Sequence, residues 1–452
     1  MKGRLGFAAA FALATIALPA SVEAQGWLSD RSRTEGPGFR LGDFELHPGL
    51  GVEIGYDSNL YYSSDDDPLM IRRDSGILRA TAHLLVSTRG QERRTEGESG
   101  GGDQQTVQQP PVTFRAGLSG SFYTFFNDID RSNMEVDANV ALGILPGRTF
   151  SVNITDTFGR SIRPFTENTS TTASYARIQN NAGIQANFAT TGDVLKIGVG
   201  YNFHLDFFED SNFQYGNNFR HNITLNETFR FLPQTAILHD TQVTILDYFG
   251  DTSRSPTYLG EGVLLRTRAG LNGAFTTNFS VLAMVGYAAG FFQSLGAYDQ
   301  EYESLVAQVE ARWQIETNTR LTFGYVRDFQ PSFIGNFYRV DRGYAQFQVL
   351  IGGSFLLGVE ATGGYYEFGR MVAQDGVSML GNTFERGDVR LTAEIFAEYR
   401  FTDWLGINGT LGYTGAFTDF QYSVDITGSP VRALDPAGYN KFQAWFGVRI
   451  FY

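Results

Sequence analysis

Long segments of the chain alternate apolar and polar side chains with a period of two. From Asp388 to Phe401 the polar positions include Arg390, Thr392, Glu394 and Glu398. The apolar positions between them are Val389, Leu391, Ala393, Ile395, Ala397, Tyr399 and Phe401. Successive side chains of a β-strand point to opposite faces, whereas an amphipathic helix repeats about every 3.6 residues. This segment is therefore predicted to be a strand with one apolar face and one polar face.

Two further segments show the same alternation, from Leu195 to Phe207 and from Leu305 to Trp313. Strands of soluble proteins are typically about 5–6 residues long. A tilted strand that crosses a bilayer needs about 9–11 residues, which these segments provide. The pattern is typical of a wall with lipid on one side and water on the other.

Short and long connections alternate between the predicted strands. The short ones lie at 146–148, 191–193, 233–235, 276–278, 318–319, 352–353 and 402–403. The long ones lie at 59–75, 159–174, 208–217, 249–260, 294–300, 367–387 and 417–438. Tight periplasmic turns and long external loops are the rule in bacterial outer-membrane barrels. The sequence predicts an all-β, antiparallel, up-and-down transmembrane β-barrel of about 18 strands, within a range of roughly 16–20.

The N-terminus predicts secretion. Lys2 and Arg4 precede an uncharged stretch, and small residues around Ala24 predict signal-peptide cleavage before Gln25. We therefore expect a signal peptide over 1–24, a periplasmic segment over 25–48 and a barrel over 49–452, in the outer membrane of a Gram-negative bacterium. Within the barrel, the insertion 88–111 lacks apolar residues and is predicted to be disordered. Because it lies between the second and third predicted strands, it is expected on the periplasmic side. It is either a flexible insertion or a contact for a periplasmic partner.

The C-terminus ends on an apolar face that finishes with an aromatic residue. This face consists of Phe442, Ala444, Phe446, Val448, Ile450 and Tyr452. It resembles the terminal-strand signal that the outer-membrane barrel assembly machinery recognises. The resemblance implies that this machinery and outer-membrane lipid are partners of the chain.

The amino-acid composition excludes several kinds of site and of partner. The chain has 39 Phe and 22 Tyr but no Cys, so disulfides, thiolate metal sites and a lipoprotein anchor are excluded. A net charge of −13 argues against a nucleic-acid partner, because binding to phosphates requires a basic surface.

Candidate catalytic residues are few. His204 and Asp206 fall two residues apart on one face, either as an acid/base dyad similar to that of the omptin proteases or as an ordinary hydrogen bond in the lumen. The run Asp65–Asp67 lacks the ligand spacing of a calcium loop, so a solvated acidic loop is expected. We predict no enzyme activity, no metal and no cofactor.

The polar faces predict the lining of a pore. The inward set is Lys196, Asn202, His204, Asp206, Arg266, Arg268, Gln308, Glu310, Arg312, Arg342, Gln346, Gln348, Arg390, Glu394, Glu398 and Arg400. Both charge signs occur with many amides, which suits neutral hydroxylated solutes such as sugars and equally suits an unselective water-filled pore. Some of these charges are expected to pair across strands. Barrels of 16–18 strands leave an aqueous channel, so transport is the expected function.

The segment Gly51–Tyr61, which reads GVEIGYDSNLY, resembles the opening strand of the β-barrel porins associated with exopolysaccharide gene clusters. That resemblance implies a conduit for a secreted polysaccharide, working with a separate periplasmic polysaccharide-export protein. The alternatives are a general diffusion porin, an outer-membrane hydrolase, and a structural or adhesive barrel that binds through loops 367–387 and 417–438.

Overall fold

A computed structural model describes residues 36–66, 72–88, 110–162, 176–293, 301–375, 377–425 and 432–452. Its strands in chain order are β1 (Phe39–Leu41), β2 (Phe44–Asp57), β3 (Ser75–Thr88), β4 (Val112–Phe125), β5 (Asn133–Ile144), β6 (Phe150–Ser161), β7 (Arg177–Ala189), β8 (Leu195–Phe208), β9 (Asn218–Leu232), β10 (Thr235–Tyr248), β11 (Gly262–Thr276), β12 (Phe279–Phe292), β13 (Tyr302–Glu316), β14 (Thr319–Pro331), β15 (Phe337–Ile351), β16 (Phe355–Phe368), β17 (Gly387–Thr402), β18 (Leu405–Phe417), β19 (Gln421–Asp425), β20 (Arg432–Pro436) and β21 (Tyr439–Phe451). Single-turn 3₁₀ helices lie at Ile129–Arg131, Thr191–Asp193, Gln214–Gly216 and Thr252–Arg254. Across these ranges, no helix has the length and apolar character needed to cross a bilayer.

Strands β2 to β18 and β21 form a closed antiparallel barrel of 18 strands. Each strand pairs with its neighbour in the chain, and β2 also pairs with β21, where Val52 lies opposite Val448. This last pairing closes the barrel and leaves no free sheet edge in the wall. The predicted fold and strand number are confirmed. Strand β1 folds back on β2, and β19 and β20 form a hairpin within the last long connection.

The two faces of the wall differ in polarity as the alternation predicts. On β2, Leu50, Val52 and Ile54 are each more than half exposed, whereas Glu53 and Asp57 on the other face are buried. Exposed apolar side chains outside and polar side chains inside are the reverse of a water-soluble protein. Barrel strands run from 12 residues in β5 to 16 in β17, long enough to cross a bilayer at a tilt. The fold is that of a membrane-spanning β-barrel.

The two rims of the barrel are built differently. At one rim, called here the turn end, the connections are as short as 233–234 and 277–278. Gly352 and Gly353 have φ of +59° and +71° there, in the left-handed region that glycine adopts without strain. At the opposite rim, called the loop end, the connections are as long as 369–386 and 418–438.

Five of the loop-end connections pack into one layer through their described residues, and we call this layer the loop cap: 209–217, 249–261, 332–336, 369–386 and 418–438. Met371 and Ile334 are fully buried there with Phe420 and Tyr422. Backbone bonds tie the connections together, including Tyr258 N to the Val372 carbonyl oxygen at 3.2 Å. The long connections expected from the sequence are therefore not independent loops.

Some predicted boundaries shift. The first barrel strand begins at Phe44 rather than at 49, because Phe44 and Leu46 continue the outward apolar row of β2 beyond Pro48. Strand β6 continues to Ser161, past the predicted start of a loop at 159. The connections 126–132 and 332–336 are short for the loop end. The predicted signal peptide and most of the insertion 88–111 lie outside the described residues.

Candidate functional site: the inner wall of the barrel

The inner face of the barrel has two regions of different chemistry. We call the inner faces of β2, β3, β17, β18 and β21 the seam wall, because they flank the pairing that closes the barrel. We call the inner faces of β5 to β9 the amide wall. Strand register assigns both regions to the face opposite the exposed apolar rows.

A buried ion pair lies at the centre of the seam wall. Arg79 Nε donates to Glu53 Oε2 at 2.6 Å, and Asn408 Nδ2 donates to Glu53 Oε1 at 2.7 Å. The Arg79 guanidinium lies over the Trp445 ring, 4.3 Å from its centroid. The Arg79 and Glu53 side chains are 0% and 1% exposed. Charges buried this deeply are tolerated when both partners are present, and removing one leaves the other uncompensated.

Further ion pairs on the same wall repeat this arrangement. Asp57 Oδ2 lies 2.7 Å from Lys441 Nζ, so the pair bridges β2 and β21 across the closing seam. Glu398 contacts both Arg400, at 2.9 Å, and Arg449. These contacts place three of the predicted inward charges, Arg390, Glu398 and Arg400, in ion pairs within the wall. Of these pairs, Asp57–Lys441 spans the pairing that closes the barrel, and Glu398–Arg449 joins β17 to β21 across β18.

The amide wall is built mainly from Asn and Gln side chains that are half-buried or exposed, and it also carries Lys196 and the charged group of Arg177, Asp206 and Arg220. Its amide members are Asn139, Asn153, Gln179, Asn181, Gln185, Asn187, Asn202, Asn222 and Asn226. Each amide offers both donors and acceptors. Some bond to neighbours, as when Gln242 Nε2 donates to Asn222 Oδ1 at 3.0 Å.

Glycines make room for these amides. A Cβ at Gly198 would lie 2.6 Å from Gln185 Nε2, and a Cβ at Gly200 would lie 2.6 Å from Thr224 Oγ1. Both glycines lie on the inward row of β8 with Lys196 and Asn202. Polar side chains of the neighbouring strands therefore occupy the space over β8 that larger residues would fill.

The remaining predicted residues lie on the inward faces of β11, β13 and β15. Their ion pairs join Arg266 to Asp328 at 2.8 Å, Arg268 to Asp240 at 2.9 Å and Arg312 to Glu310 at 2.7 Å. Gln308 accepts from Arg268, and Gln348 accepts from Arg320. Arg342 and Gln346 occupy the same inward row of β15, and Glu394 occupies that of β17. That these residues line a conducting pore stays a prediction.

The candidate dyad is not assembled. Asp206 contacts Arg177 and Arg220, each at 3.7 Å, and accepts from Gln179 at 3.4 Å. Among the described contacts of His204, no hydrogen bond joins it to Asp206. The two side chains share a face, but the carboxylate does not orient the imidazole as an acid/base pair requires.

The acidic loop also lacks the geometry of a cation site. Asp65 accepts from Arg72 at 2.8 Å, and this bond lowers the pKa of the Asp65 carboxyl from its ordinary value. Asp67 lies outside the described residues. Within the described ranges, no group of three or more His, Asp or Glu side chains converges as a metal site.

The C-terminal residues of the predicted assembly signal lie on the outer face of β21. Phe442, Phe446, Val448 and Ile450 are between 43% and 57% exposed. Tyr452 follows the strand and stacks on Phe39 at a centroid distance of 4.3 Å. Recognition of these residues by the assembly machinery stays a prediction.

Several important residues were absent from the predicted set. Glu53, Arg79 and Arg449 alternate with outward apolar residues, so the same period-two pattern that identified β17 would have placed them inward. Trp445 carried no such signal. It is an inward aromatic residue on a strand whose outward positions are also aromatic, so polarity does not distinguish the two faces at this position.

Comparison with solved structures finds barrels with little sequence in common. The OccK2 (OpdF) structure from Pseudomonas aeruginosa in complex with glucuronate has 9% identity and a TM-score of 0.43, with 90% of this chain and 98% of that chain covered. OccAB4 from Acinetobacter baumannii has 8% identity and a TM-score of 0.42, with 90% and 98% covered. The FrpB iron transporter from Neisseria meningitidis has 9% identity and a TM-score of 0.42, with 90% and 81% covered.

No protein-family model matches the chain, and no curated protein matches it. The resemblance to exopolysaccharide-associated porins therefore finds no support in these comparisons. The solved structures are similar to this chain in their barrel fold alone.

Proposed function

We propose that this protein is an outer-membrane channel through which small hydrophilic solutes diffuse, the function of a general porin. The observation that carries the proposal is the closed barrel of 18 strands with an accessible, amide-rich region on its inner face. A barrel of this size encloses an aqueous lumen when its interior is polar. The proposed lining is the amide wall together with the inward residues of β11, β13 and β15.

The distribution of charge favours solutes without a net charge. A ring of charges of one sign selects ions of the opposite sign. Here Arg266, Arg268 and Arg312 each face a carboxylate, and Arg79, Lys441 and Arg449 of the seam wall do so as well. Amides supply donors and acceptors without a net field, so the channel is expected to discriminate weakly between anions and cations.

Polysaccharide secretion is the narrower alternative, and the motif behind it has a structural explanation. Asn59 N donates to Asp57 Oδ1 at 2.9 Å, and Asn59 Nδ2 donates to the Asn440 carbonyl oxygen at 2.8 Å. The Asp-Ser-Asn sequence therefore ties the end of β2 to the start of β21. Any barrel closed at that seam could use the motif in this way, so the motif does not favour a polymer over a small solute as the substrate. The diffusion channel is therefore the better-supported function.

Liposome swelling tests the proposal directly. The mature chain is reconstituted into liposomes and diluted into isosmotic solutions of neutral sugars of increasing size. We expect swelling that is fast for monosaccharides and slows with solute size, while liposomes without protein stay constant. Absence of swelling with every sugar, for a chain shown to be folded and inserted, would contradict the proposed function.

A further inference from the structure

The outer face of the barrel has a groove on β15, β16 and β17. Its floor consists of Gly343 and Ala345 on β15, Ala361 and Gly363 on β16, and Ala393 on β17. Register brings these small residues together, because Gly343 lies opposite Gly363 and Ala345 lies opposite Ala361. Larger outward side chains border the floor: Phe323 and Tyr325 of β14 on one side, Leu391 of β17 and Tyr413 of β18 on the other. The groove has a volume of about 450 Å³, within the range of about 300–1,000 Å³ that is typical of sites for small molecules.

The barrel itself does not require a glycine at position 343. The φ of Gly343 is not positive, so a larger residue could adopt the same backbone conformation. Among the described residues, the nearest atom to a Cβ placed there, apart from its chain neighbours, would be the Gly324 carbonyl oxygen at 3.9 Å. On the inner face, by contrast, a Cβ at Gly198 would lie 2.6 Å from Gln185 Nε2. Glycine weakens a strand and often marks a position that a ligand approaches closely. The space over Gly343 is therefore open to a molecule outside the chain.

The groove lies at the depth of the membrane hydrocarbon. Ala361 is seven residues from the loop end of β16 and six from its turn end, and Gly343 is six residues from the loop end of β15. A tilted strand crosses the bilayer with about 9–11 residues, so both positions lie near the middle of the wall. The outward row of β17 beside them, from Val389 to Phe401, is wholly apolar. The molecule that enters the groove must therefore present an apolar segment there.

Charged side chains lie on the same outward rows, between the groove and the loop end. We call them the polar rim, and they are Arg327, Arg339, Asp341 and Glu367, all within four residues of the loop end. Arg339 Nε donates to Asp341 Oδ2 at 3.0 Å, and Arg339 Nη2 lies 2.6 Å from Glu367 Oε2. Arg327 Nη1 lies 3.6 Å from Asp341 Oδ1, and the Arg327 side chain is 33% exposed. A guanidinium has five N–H donors, so Arg327 can bind an anionic group at the level of the lipid head groups while it stays near Asp341.

We propose that the groove and the polar rim together bind the lipid A part of one lipopolysaccharide molecule, with an acyl chain in the groove and a phosphate at Arg327. Long loops of outer-membrane barrels face the cell exterior, so the rim lies in the outer leaflet, which consists mainly of lipopolysaccharide in Gram-negative bacteria. Arginine matches the geometry of phosphate with paired N–H donors. An acyl chain is narrow and apolar, so it can lie on the small residues between the larger side chains.

The shape of the groove argues against a second copy of this chain as the occupant. A two-fold contact presents the same surface on both copies. Two copies that met about β16 would place one floor of small residues against the other, and neither groove would be filled. An acyl chain has no such restriction, because lipid adapts to the shape of the wall.

Native mass spectrometry of the folded chain in mild detergent, titrated with diphosphoryl lipid A, tests the site. Ala361→Leu fills the groove. The matched control is Ala269→Leu on β11, because Ala269 is also exposed on the outer face and also lies seven residues from the loop end. We expect the native chain and Ala269→Leu to bind one lipid A, and Ala361→Leu to bind it several-fold more weakly. Equal binding by the two variants would overturn the proposal. A native chain that is dimeric without lipid and becomes monomeric only with Ala361→Leu would assign the groove to a second copy, and would overturn it as well.

A second pair of variants tests the contact with phosphate. Arg327→Gln is expected to weaken binding of diphosphoryl lipid A several-fold and to leave binding of dephosphorylated lipid A unchanged. Arg254→Gln, which removes an exposed arginine from connection 249–261, should change neither. Equal effects of Arg327→Gln on both forms of lipid A would contradict the phosphate contact. Displacement of lipid A by an equimolar amount of phosphatidylglycerol would contradict the choice of lipid. Neither experiment requires the barrel to conduct, so the proposal can fail while the proposed function stands.

Discussion

The seam wall and the amide wall arise from the same alternating pattern but solve different physical problems. In the seam wall, charged side chains such as Glu53 and Arg79 are buried and paired. In the amide wall, glycines such as Gly198 leave room for neutral polar side chains that remain accessible. The difference shows that polarity on an inward row does not by itself define a lining. Inward polar side chains that are buried and paired with a charge contribute to closure of the barrel. Inward polar side chains that are unpaired by charge and exposed are the ones available to a solute.

Loss of a seam-wall partner should have the largest effect. Arg79→Ala leaves the Glu53 carboxylate buried without its counter-ion, which typically costs about 3–5 kcal/mol. The free energy of unfolding in detergent micelles, measured by urea titration, should fall by that amount. The matched control is Arg312→Ala, whose side chain is 59% exposed and should change the value by less than about 1 kcal/mol. Equal losses in the two variants would remove the distinction between the walls.

The loop cap should respond to a cavity. Met371 is fully buried among Ile334, Phe420 and Tyr422, and Met→Ala replacements in cores cost about 2–5 kcal/mol. We expect Met371→Ala to expose connections 369–386 and 418–438 to proteolysis while the barrel strands stay resistant. Met134, which is 46% exposed on the outer face, provides the control Met134→Ala. If Met371→Ala left the resistance of the loop cap to proteolysis unchanged, the packing around Met371 would contribute little to the stability of the cap.

The amide wall should affect passage more than stability. We expect Asn202→Leu combined with Asn222→Leu to slow sugar-driven liposome swelling several-fold, because donors and acceptors on the proposed path are removed. The free energy of unfolding should change by no more than about 1–2 kcal/mol, the worth of a few partly exposed hydrogen bonds. Unaltered swelling would mean that the path avoids β8 and β9.

The smallest expected effect is pH-dependent and local. The pKa of Asp65 is lowered by its hydrogen bond to Arg72, so the bond stabilises the loop above the unfolded pKa of about 3.9 and is lost as the pH falls through the lowered value. Asp65→Asn should therefore increase hydrogen exchange in 58–66 at pH 7, with the difference from the native chain vanishing at low pH. A difference that persists unchanged at low pH would contradict the role of the ionised carboxylate.

The sequence predicted those features that depend on local periodicity. The outward and inward rows of β17 follow from alternation alone, and the count of 18 strands follows from the succession of short and long connections between strands. Partners across strands depend on register, and Glu398 meets Arg449 only because β17 and β21 both flank β18. The loop cap brings 249–261 to 369–386, a contact between distant segments that no local pattern encodes.

The candidate site was predictable in part for the same reason. Lys196, Asn202 and Arg266 were placed by alternation, whereas the pairing of Arg266 with Asp328 depends on how the inner wall curves between β11 and β14. His239 shows the opposite failure. It lies on the outward row of β10, which alternation would assign to an apolar residue. That its polar side chain has a polar partner on this face is seen only from the register, which places Glu227 of β9 beside it.

The most direct test of the central claim, that this barrel lets hydrophilic solutes pass, is single-channel recording in a planar bilayer. With the mature chain in symmetric potassium chloride, we expect discrete conductance steps. In a salt gradient the reversal potential should lie near zero, because inward arginines such as Arg266, Arg268 and Arg312 are paired with carboxylates. Absence of conductance steps would contradict the channel. A reversal potential close to the equilibrium potential of either potassium or chloride would show strong ion selectivity, which would contradict the paired, amide-lined wall.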